Sequence, residues 1–259
     1  MTYKLLFLDV DGTILPPDHQ YTFLTKEAIE KAQKNGIEVF IATGRPIHEI
    51  KFLTDELNIQ SCIGYNGASA VYRNETVMKR TMARETVLEV IDLAKKHKHE
   101  IAFFTREKNY FTTFDDALIQ QFIETFTFKN NARYESSIVD EVLSMSIAHV
   151  KPEELSIYEH LDIQLTVINV PGFEKMYDVV QKNITKGTAI EFLLDRLNVD
   201  KSEAIAFGDG ENDIEMLQSV GIGFAMGNAH PELLKRAKYI TKTASESGIY
   251  YGLKEIKAI

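Results

Sequence analysis

The stretch FLDVDGTILP, residues 7–16, places two aspartates directly after an apolar run. The run KLLFL, residues 4–8, is short and uninterrupted, which is typical of a strand covered by helices on both faces. Asp9 and Asp11 therefore lie at the carboxyl end of the predicted strand, and Gly12 allows the backbone to turn sharply there. Two like charges at one strand end need a structural or chemical reason.

Similar apolar strands recur along the chain and alternate with amphipathic helices. The predicted strands that follow the first lie at residues 37–43, 61–66, 203–208 and 221–226. Strands joined by crossover helices predict an α/β fold with a doubly wound, mainly parallel, Rossmann-like core sheet. Ligands of such sheets bind outside the carboxyl ends of the strands, where Asp9 and Asp11 are placed.

The pattern changes in the middle of the chain, where helical segments mix with aromatic strand-like runs. We predict that residues 1–83 and 184–259 form one core domain and that residues 84–183 form an inserted α/β cap domain. Five aromatic residues of this insertion are interpreted as its own core rather than as a sugar-binding platform: Phe103, Phe104, Tyr110, Phe111 and Phe114.

Three local features complete the secondary-structure prediction. Thr25 is predicted to cap the helix that closes at Asn35, and Pro46 to open a single helix over residues 47–58. The run His97-Lys98-His99 is interpreted as a solvated helix end, because no carboxylate or cysteine accompanies it at metal-ligand spacing.

Composition favours a folded, soluble and cytoplasmic protein. The 259 residues are 44% apolar, and 38 acidic against 29 basic residues give a net charge of −9, which disfavours nucleic acid or an anionic membrane as a partner. No apolar stretch approaches the roughly 18 residues of a membrane span. The single cysteine, Cys62, excludes an internal disulfide and predicts a reduced compartment.

A second acidic run, GDGENDIEM at residues 208–216, follows another predicted core strand. It brings Asp209, Glu211, Asn212 and Asp213 to the same sheet edge as Asp9. Two charges about 4 Å apart repel by roughly 4 kcal/mol at an effective dielectric of about 20, so the cluster must shift its pKa values or hold a cation. Oxygen ligands without histidine or cysteine favour Mg²⁺ over zinc, and few carboxylates favour Mg²⁺ over Ca²⁺. Neither acidic run matches an EF-hand loop.

Two further segments supply what an acidic site lacks. Thr43, Gly44 and Arg45 stand between a strand end and a helix start, and they offer a hydroxyl, backbone donors and a guanidinium to an anion. Lys186 opens the predicted helix at residues 186–197, where its ammonium adds to the positive helix end. The sequence therefore predicts an anion beside the cation.

These motifs, taken in order, resemble those of the haloacid dehalogenase-like hydrolases, and within them the Cof-type phosphatases with a large α/β cap. They stand here as DVDGT (9–13), ATGR (42–45), KG (186–187) and GDGEND (208–213), and NGA (66–68) is also similar to the subgroup. The resemblance implies that Asp9 is the nucleophile and Asp11 the general acid and base. It also implies phosphate binding by Thr43, Lys186 and Asn212, metal support by Asp209 and Asp213, and a metal bond from the Asp11 backbone carbonyl. Asn66 is counted with the phosphate-binding residues.

We therefore expect a Mg²⁺-dependent phosphatase that cleaves a small phosphorylated metabolite through an aspartyl-phosphate. Sugar phosphates, nucleotides and cofactor phosphates all remain open as substrates. One alternative is phosphohexomutase-like transfer to a second sugar hydroxyl, and another is a non-catalytic protein that senses Mg²⁺ or phosphate. The sequence does not indicate the oligomeric state.

Overall fold

A computed structural model describes residues 3–168, 170 and 172–259 of the chain. Their contacts divide the chain into two compact units. The first contains the described residues up to Arg45 together with Lys51–Met78 and Thr185–Ile259. The second contains Pro46–Ile50 and the described residues of 79–184.

The described residues form fourteen strands. In chain order they are β1 (Leu5–Leu8), β2 (Glu38–Ala42), β3 (Ser61–Gly64), β4 (Ser69–Tyr72), β5 (Glu75–Lys79), β6 (Glu100–Phe104), β7 (Asn109–Phe111), β8 (Asn131–Arg133), β9 (Ser144–Ala148), β10 (Ile163–Val167), β11 (Met176–Gln181), β12 (Ala204–Gly208), β13 (Ile222–Ala225) and β14 (Tyr239–Ile240).

Eight α-helices and seven short 3-10 helices connect these strands within the described part of the chain. The α-helices are α1 (Phe23–Lys34), α2 (Lys51–Glu56), α3 (Arg84–His97), α4 (Ala117–Thr125), α5 (Lys186–Leu197), α6 (Ile214–Gln218), α7 (Pro231–Arg236) and α8 (Gly248–Glu255). The 3-10 helices are Ile47–Glu49, Tyr65–Gly67, Ser136–Glu141, Pro152–Tyr158, Lys201–Glu203, Glu211–Asp213 and Ala244–Glu246. No helix among the described residues has both the length and the apolar character that crossing a bilayer requires.

An eight-stranded sheet runs through the first unit in the order β14-β13-β12-β1-β2-β3-β4-β5. The pairs from β14 to β3 are all parallel, and β4 returns antiparallel to β3. The predicted α/β class with a doubly wound, mainly parallel sheet is confirmed. Strand β1 has β2 on one side and β12 on the other, so the strand order reverses at β1, which is where such sheets bind ligands.

The core of the first unit lies between this sheet and its helices. Helix α5 buries Ala189, Ile190, Leu193 and Leu194 against residues of the central strands. Burying one such branched apolar side chain stabilises the fold by about 1.5–3 kcal/mol. This packing fixes the start of α5, and with it Lys186, relative to the ends of β1 and β12.

The second unit contains a six-stranded sheet in the order β10-β11-β9-β6-β7-β8. Its pairs are antiparallel except for β7 and β8. Phe103, Ile147 and Val179 project from neighbouring strands into a core that also contains Val87 and Val90 of α3. Of the five aromatic residues singled out in the sequence, Phe103, Phe104 and Phe111 are buried, and Tyr110 and Phe114 are half-buried.

One predicted helix start and one predicted continuous helix are wrong. Thr22, not Thr25, caps α1, since the Thr22 hydroxyl oxygen accepts the backbone N–H of Thr25. The helix therefore begins at Phe23. This side chain is 80% exposed, so it does not belong to the buried apolar face from which the helix was predicted. The single helix predicted over residues 47–58 is instead the 3-10 helix Ile47–Glu49 followed by α2. The break coincides with the return of the chain from the second unit to the first.

The interpretation of His99 as solvated is also wrong. Lys98 ends α3 in the left-handed conformation, with φ of 62°, and His99 then enters the unit just before β6. Its ring is buried and its Nδ1 lies 2.8 Å from the hydroxyl of Tyr158. Burial lowers the pKa of His99. A left-handed turn that folds a polar residue inward leaves no signal in the apolar pattern.

Candidate active site

Asp9 and Asp209 follow two strands that lie side by side. Leu8 of β1 is in register with Phe207 of β12, and the Asp9 N–H donates to the Phe207 carbonyl at 3.0 Å, which continues the pairing by one residue. Both carboxylates therefore lie at one sheet edge, as expected for parallel strands. Asp9 is buried and Asp209 is half-buried.

The loop after Asp9 is shaped around Asp209. Gly12 has φ of +81°, and a Cβ on it would lie 2.1 Å from Oδ2 of Asp209. Only glycine allows this approach, since both the backbone conformation and the space exclude a side chain. The Thr13 hydroxyl donates to Oδ1 of Asp209 at 3.0 Å. Thr13 is thus a second determinant of where this carboxylate points.

Asp213 lies at the end of the 3-10 helix Glu211–Asp213 and is fully buried. Its Oδ2 accepts the backbone N–H groups of Asp209 and Gly210, both at 2.9 Å. A Cβ on Gly208 would lie 2.5 Å from the Asp213 side chain, so glycine at the end of β12 makes room for this carboxyl group. Asp213 thereby fixes the backbone that carries Asp209.

Lys186 connects two of these acids. Its Nζ donates to Oδ1 of Asp9 at 2.6 Å and to Oδ1 of Asp213 at 2.7 Å, and its side chain is 1% exposed. The residue begins α5, which Thr185 caps by accepting the N–H of Thr188. The start of α5 lies close to the backbone of Glu215. Glycine at position 187 makes this possible, because a Cβ there would lie only 2.8 Å from that backbone.

Burial governs the protonation of this cluster. It raises the pKa of Asp9 well above its usual value, although Lys186 acts in the opposite direction. Burial and then repulsion from Asp213 raise the pKa of Asp209 to about 7. Burial alone would lower the pKa of Lys186, but Asp213 and Asp9 outweigh it and raise that pKa. Lys186 is therefore charged at neutral pH. Its single positive charge does not balance three ionised carboxylates.

The donor set fits a hard divalent cation. Asp9, Asp209 and Asp213 each offer one carboxylate oxygen, and these oxygens all lie within 4.8 Å of one another. When all three carboxylates are ionised, one ammonium leaves two negative charges in a buried place, which a divalent ion would balance. Oxygen ligands of this kind suit Mg²⁺, Ca²⁺ and Mn²⁺ better than soft metals.

Asp11 is held separately, by Arg45. The Arg45 Nε donates to Oδ2 of Asp11 at 2.7 Å and its Nη2 donates to Oδ1 at 2.6 Å. This bidentate geometry is the strongest that a guanidinium makes with a carboxylate. The Arg45 side chain is 7% exposed and that of Asp11 is 43% exposed. The Asp11 side chain therefore lies at the accessible side of the cluster, outside the three-carboxylate group.

Thr43 and Arg45 are fixed by a strained turn. The Thr43 hydroxyl oxygen accepts the N–H of Arg45 at 3.1 Å. Tyr65 and Asn66 have φ of 54° and 53°, a left-handed conformation that costs about 1–3 kcal/mol for each such residue. Their N–H groups donate to the carbonyls of Arg45 and Thr43, both at 3.2 Å. The strain is thus balanced by bonds that position the Thr43–Arg45 loop.

Asn66 and Asn212 meet across the site. The Asn212 Nδ2 donates to Oδ1 of Asn66 at 2.9 Å, and both groups are polar and accessible to solvent. Gly44 lies beside them, since a Cβ there would be 3.0 Å from Oδ1 of Asn66. The side-chain amides of Asn66 and Asn212 and the backbone of Gly44 thus lie together on one side of the site.

Comparison with known proteins decides the family. The model of the haloacid dehalogenase-like hydrolases matches residues 6–253. The chain belongs to this family. YkrA of Bacillus subtilis is 31% identical over 260 residues, which cover 99% of this chain and 98% of that protein. The 5-amino-6-(5-phospho-D-ribitylamino)uracil phosphatase YitU of the same organism is 26% identical over 261 residues, 97% of this chain and 96% of its own.

Solved structures of similar proteins agree with this assignment. A Geobacillus kaustophilus protein is 30% identical with a TM-score of 0.88, over 99% of this chain and all of that one. The subclass IIB sugar phosphatase BT4131 is 26% identical with a TM-score of 0.86, over 99% and 100% of the two chains. The predicted resemblance to the haloacid dehalogenase-like hydrolases and their Cof-type members is confirmed, and with it the Rossmann-like core.

In the structure of this hydrolase, all the site residues predicted from the sequence belong to the first unit. They fall into the buried carboxylate group around Lys186, the Asp11–Arg45 pair, and a polar group in which Thr43 and Gly44, after β2, lie beside Asn66 and Asn212 of two 3-10 helices. Glu211 lies apart from the carboxylate group, and its Oε1 is 3.1 Å from Nδ1 of His230.

The sequence analysis gave no role to Thr13, although it lies in the DVDGT motif, and it did not single out Asn228. The Asn228 Nδ2 donates to the Gly12 carbonyl at 2.8 Å, and its Oδ1 accepts the Ala244 N–H at 2.9 Å. It therefore holds the loop that follows Asp9. The position of Asn228 in the chain could have indicated this role, because it follows β13 at the same sheet edge as Asp209.

Proposed function

We propose that this haloacid dehalogenase-like hydrolase is a Mg²⁺-dependent phosphatase that cleaves small phosphate monoesters through an aspartyl-phosphate on Asp9. The observation that carries the proposal is the group formed by Asp9, Asp209 and Asp213 with Lys186 between two of them. The names of the relatives support a hydrolase of phosphate esters, and the compact second unit supports residues 84–183 as an inserted cap domain.

Asp9, Asp209 and Asp213 would hold the Mg²⁺, together with the backbone carbonyl of Asp11. When bound, the ion would neutralise negative charge on a phosphate and on the attacking carboxylate. The fit rests on the donor set, which is all oxygen and, once ionised, carries two negative charges beyond the one that Lys186 balances. The remaining steps depend on groups of the chain itself.

Lys186 would serve both the acids and the phosphate. Its ammonium has three N–H donors, of which two bind Asp9 and Asp213. The third is available to a phosphate oxygen. The Thr43 hydroxyl oxygen already accepts the Arg45 N–H, so its own O–H remains as a donor. Asn212 and the Gly44 backbone would add donors on the same side, with Asn66 orienting Asn212.

In the first half-reaction, a carboxylate oxygen of Asp9 attacks phosphorus and the bond from phosphorus to the ester oxygen breaks. Asp11 gives a proton to the departing alkoxide. A carboxylate bound bidentately by a guanidinium only accepts hydrogen bonds, so this step requires a protonated Asp11 that has separated from at least one Arg45 nitrogen. Arg45 therefore sets when the acid is available.

In the second half-reaction, water attacks phosphorus of the aspartyl-phosphate and releases inorganic phosphate and the Asp9 carboxylate. Asp11, now ionised, takes the proton of that water. Once Asp11 has lost this proton to solvent, its carboxylate would bind Arg45 again as it does in the structure. The two residues thus have unequal roles although only Val10 separates them.

The relatives suggest the substrate class. YitU is named for a ribityl phosphate and BT4131 for sugar phosphates, and both match this chain over nearly its whole length. We propose a small phosphorylated metabolite that carries a polyhydroxylated group. We also propose a cytoplasmic location, which the single cysteine of the chain favours.

A turnover assay with the purified protein tests the proposal. Phosphate release from p-nitrophenyl phosphate is expected with Mg²⁺ and is expected to stop with excess EDTA. A panel of sugar phosphates, ribitol phosphate, nucleotides and cofactor phosphates then ranks substrates by kcat/KM. Isomerised sugar phosphate with little free phosphate would indicate a mutase. Mg²⁺ binding without turnover on any member would indicate a sensor, and either outcome overturns the proposal.

A further inference from the structure

A short segment of the first unit, residues 227–230, follows β13 and contacts both acidic loops of the candidate site. The Asn228 Nδ2 donates to the Gly12 carbonyl at 2.8 Å. The His230 N–H donates to the Asp209 carbonyl, also at 2.8 Å. No step of the proposed reaction uses Asn228 or His230. The segment therefore joins the loop after β1 to the loop after β12.

The side-chain amide of Asn228 is fixed at both of its ends. While its nitrogen binds the Gly12 carbonyl, its Oδ1 accepts the Ala244 N–H at 2.9 Å. Ala244 is buried and begins the 3-10 helix Ala244–Glu246. Since one partner is an acceptor and the other a donor, only one orientation of the amide satisfies both. Asn228 therefore connects the loop after β1 to a folded part of the same unit.

The peptide group that Asn228 binds lies against the carboxylate of Asp209. The Gly12 carbonyl is part of the peptide that joins Gly12 to Thr13. A Cβ on Gly12 would lie 2.1 Å from Oδ2 of Asp209, and the Thr13 hydroxyl donates to Oδ1 at 3.0 Å. The two residues of this peptide thus approach both oxygens of the carboxylate. A bond that holds the peptide also limits where the carboxylate can point.

The other bonds of this loop act within the loop itself. The Gly12 N–H donates to the Leu15 carbonyl and the Leu15 N–H donates to the Val10 carbonyl, both at 2.8 Å. These bonds close the turn and satisfy its backbone groups. The bond from Asn228, in contrast, attaches the turn to a distant part of the chain. The internal bonds therefore set the shape of the turn, and Asn228 helps to set its position.

We propose that Asn228 is a positioning residue for Asp209: it holds Gly12 and Thr13 against the Asp209 carboxylate and thereby sets the direction of an oxygen that would bind Mg²⁺. The inference rests on the proposed function, in which Asp209 is a ligand of the ion. Both bonds of the Asn228 side chain are to backbone groups, so its effect passes through Gly12 and Thr13. Loss of groups that orient metal ligands lowers metal affinity about 10–100-fold.

The test compares Asn228→Ala with Asn35→Ala. Asn35 is also an exposed asparagine of the first unit, and its Nδ2 donates to the Ala258 carbonyl at 2.8 Å. It precedes β2, at the edge of the sheet opposite to the site. In calorimetric Mg²⁺ titrations, we expect Asn228→Ala to lower the affinity about tenfold and Asn35→Ala to leave it unchanged. Both variants should lower the thermal midpoint slightly. Equal Mg²⁺ affinities of the two variants would overturn the inference.

A double-mutant cycle on Mg²⁺ affinity tests the route through Thr13. Thr13→Val keeps the shape of the side chain and removes the hydroxyl that donates to Asp209. If Asn228 acts through the Gly12–Thr13 peptide, Asn228→Ala should lower the affinity less in the Thr13→Val background than in the wild type. The same fold-loss in both backgrounds would show that the two residues act independently, which would overturn the inference.

Hydrogen exchange in EDTA tests the inference without metal or substrate. Peptides that contain residues 12–15 should exchange faster in Asn228→Ala than in the wild type, whereas Asn35→Ala should leave them unchanged. If the wild type shows no turnover, the proposed function fails, and faster exchange of these peptides would still support Asn228 as the residue that holds the loop beside Asp209. Unchanged exchange in Asn228→Ala would overturn the inference.

Discussion

Nζ of Lys186 lies 2.6 Å from Oδ1 of Asp9, although the two residues are 177 positions apart in the chain. The same nitrogen reaches Asp213 at 2.7 Å, and the three side chains are at most 9% exposed. Removal of one member of a buried ion pair leaves a charge without a partner. The group is therefore both the core of the candidate active site and a point on which stability depends.

Lys186→Met tests this dual role. It leaves two buried carboxylates unpaired, so the free energy of unfolding should fall by about 3–5 kcal/mol, and part of the loss should return with Mg²⁺. Urea unfolding measures the change. Lys4→Met is a suitable control, since Lys4 pairs with Glu203 at the surface, and it should change little. A Lys186→Met protein as stable as the control would show that the buried contacts are not formed.

Gly12→Ala tests how closely the loop after Asp9 fits Asp209. A Cβ would lie 2.1 Å from Oδ2 of Asp209, so we expect loss of Mg²⁺ affinity as well as lower stability. Gly36 has the same φ of +81° with nothing within 4 Å of the added Cβ, so Gly36→Ala shares only the backbone strain of about 1–2 kcal/mol. Calorimetric Mg²⁺ titration separates the two variants. Equal Mg²⁺ affinities would argue against the close approach.

The raised pKa values predict how stability depends on pH without metal. The pKa of Asp209 is raised to about 7, mainly by burial, and that of Asp9 is raised as well. The folded protein then holds protons that the unfolded chain releases above about pH 4. The stabilisation is complete below that pH and is lost as the pH rises through about 7, so in EDTA the thermal midpoint should fall over this range.

Mg²⁺ should reverse this trend, because its ligands must be deprotonated to bind. The increase in thermal midpoint on adding Mg²⁺ should be larger at about pH 8 than at about pH 5. Asp209→Asn should reduce both the pH dependence in EDTA and the response to Mg²⁺. An equal response to Mg²⁺ at the two pH values would contradict the shared, partly protonated carboxylate group.

Much of the site could be predicted because strand order places it. Asp9 and Asp209 were expected at one edge from the strand and helix pattern alone, and β1 and β12 are indeed neighbours. Glycine, threonine and lysine at strand ends or helix starts were recognisable for the same reason. These features depend on backbone topology, which apolar periodicity reports well.

The remaining features depend on side-chain geometry. Arg45 was expected to offer its guanidinium to an anion, and the bond that its Nε and Nη2 make with the Asp11 carboxylate could not be predicted. Thr22 and Thr25 have the same chemistry three residues apart, and only the start of α1 at an exposed Phe23 decides which one caps it. The carboxylate of Glu49 is buried and accepts hydrogen bonds from Asn109 and Lys129, and no local signal predicts this because the partners are distant in sequence.

The most direct test of the account is a rapid acid quench of the wild type and of Asp9→Asn with a ³²P-labelled sugar phosphate and Mg²⁺. Asp9→Asn should lose turnover by on the order of 10³-fold or more while it keeps its fold, since the reacting oxygen is replaced. We predict that the wild type carries label on the peptide that contains Asp9, that hydroxylamine releases it, and that Asp9→Asn carries none. Full turnover by Asp9→Asn, or label on another residue, would contradict the central claim.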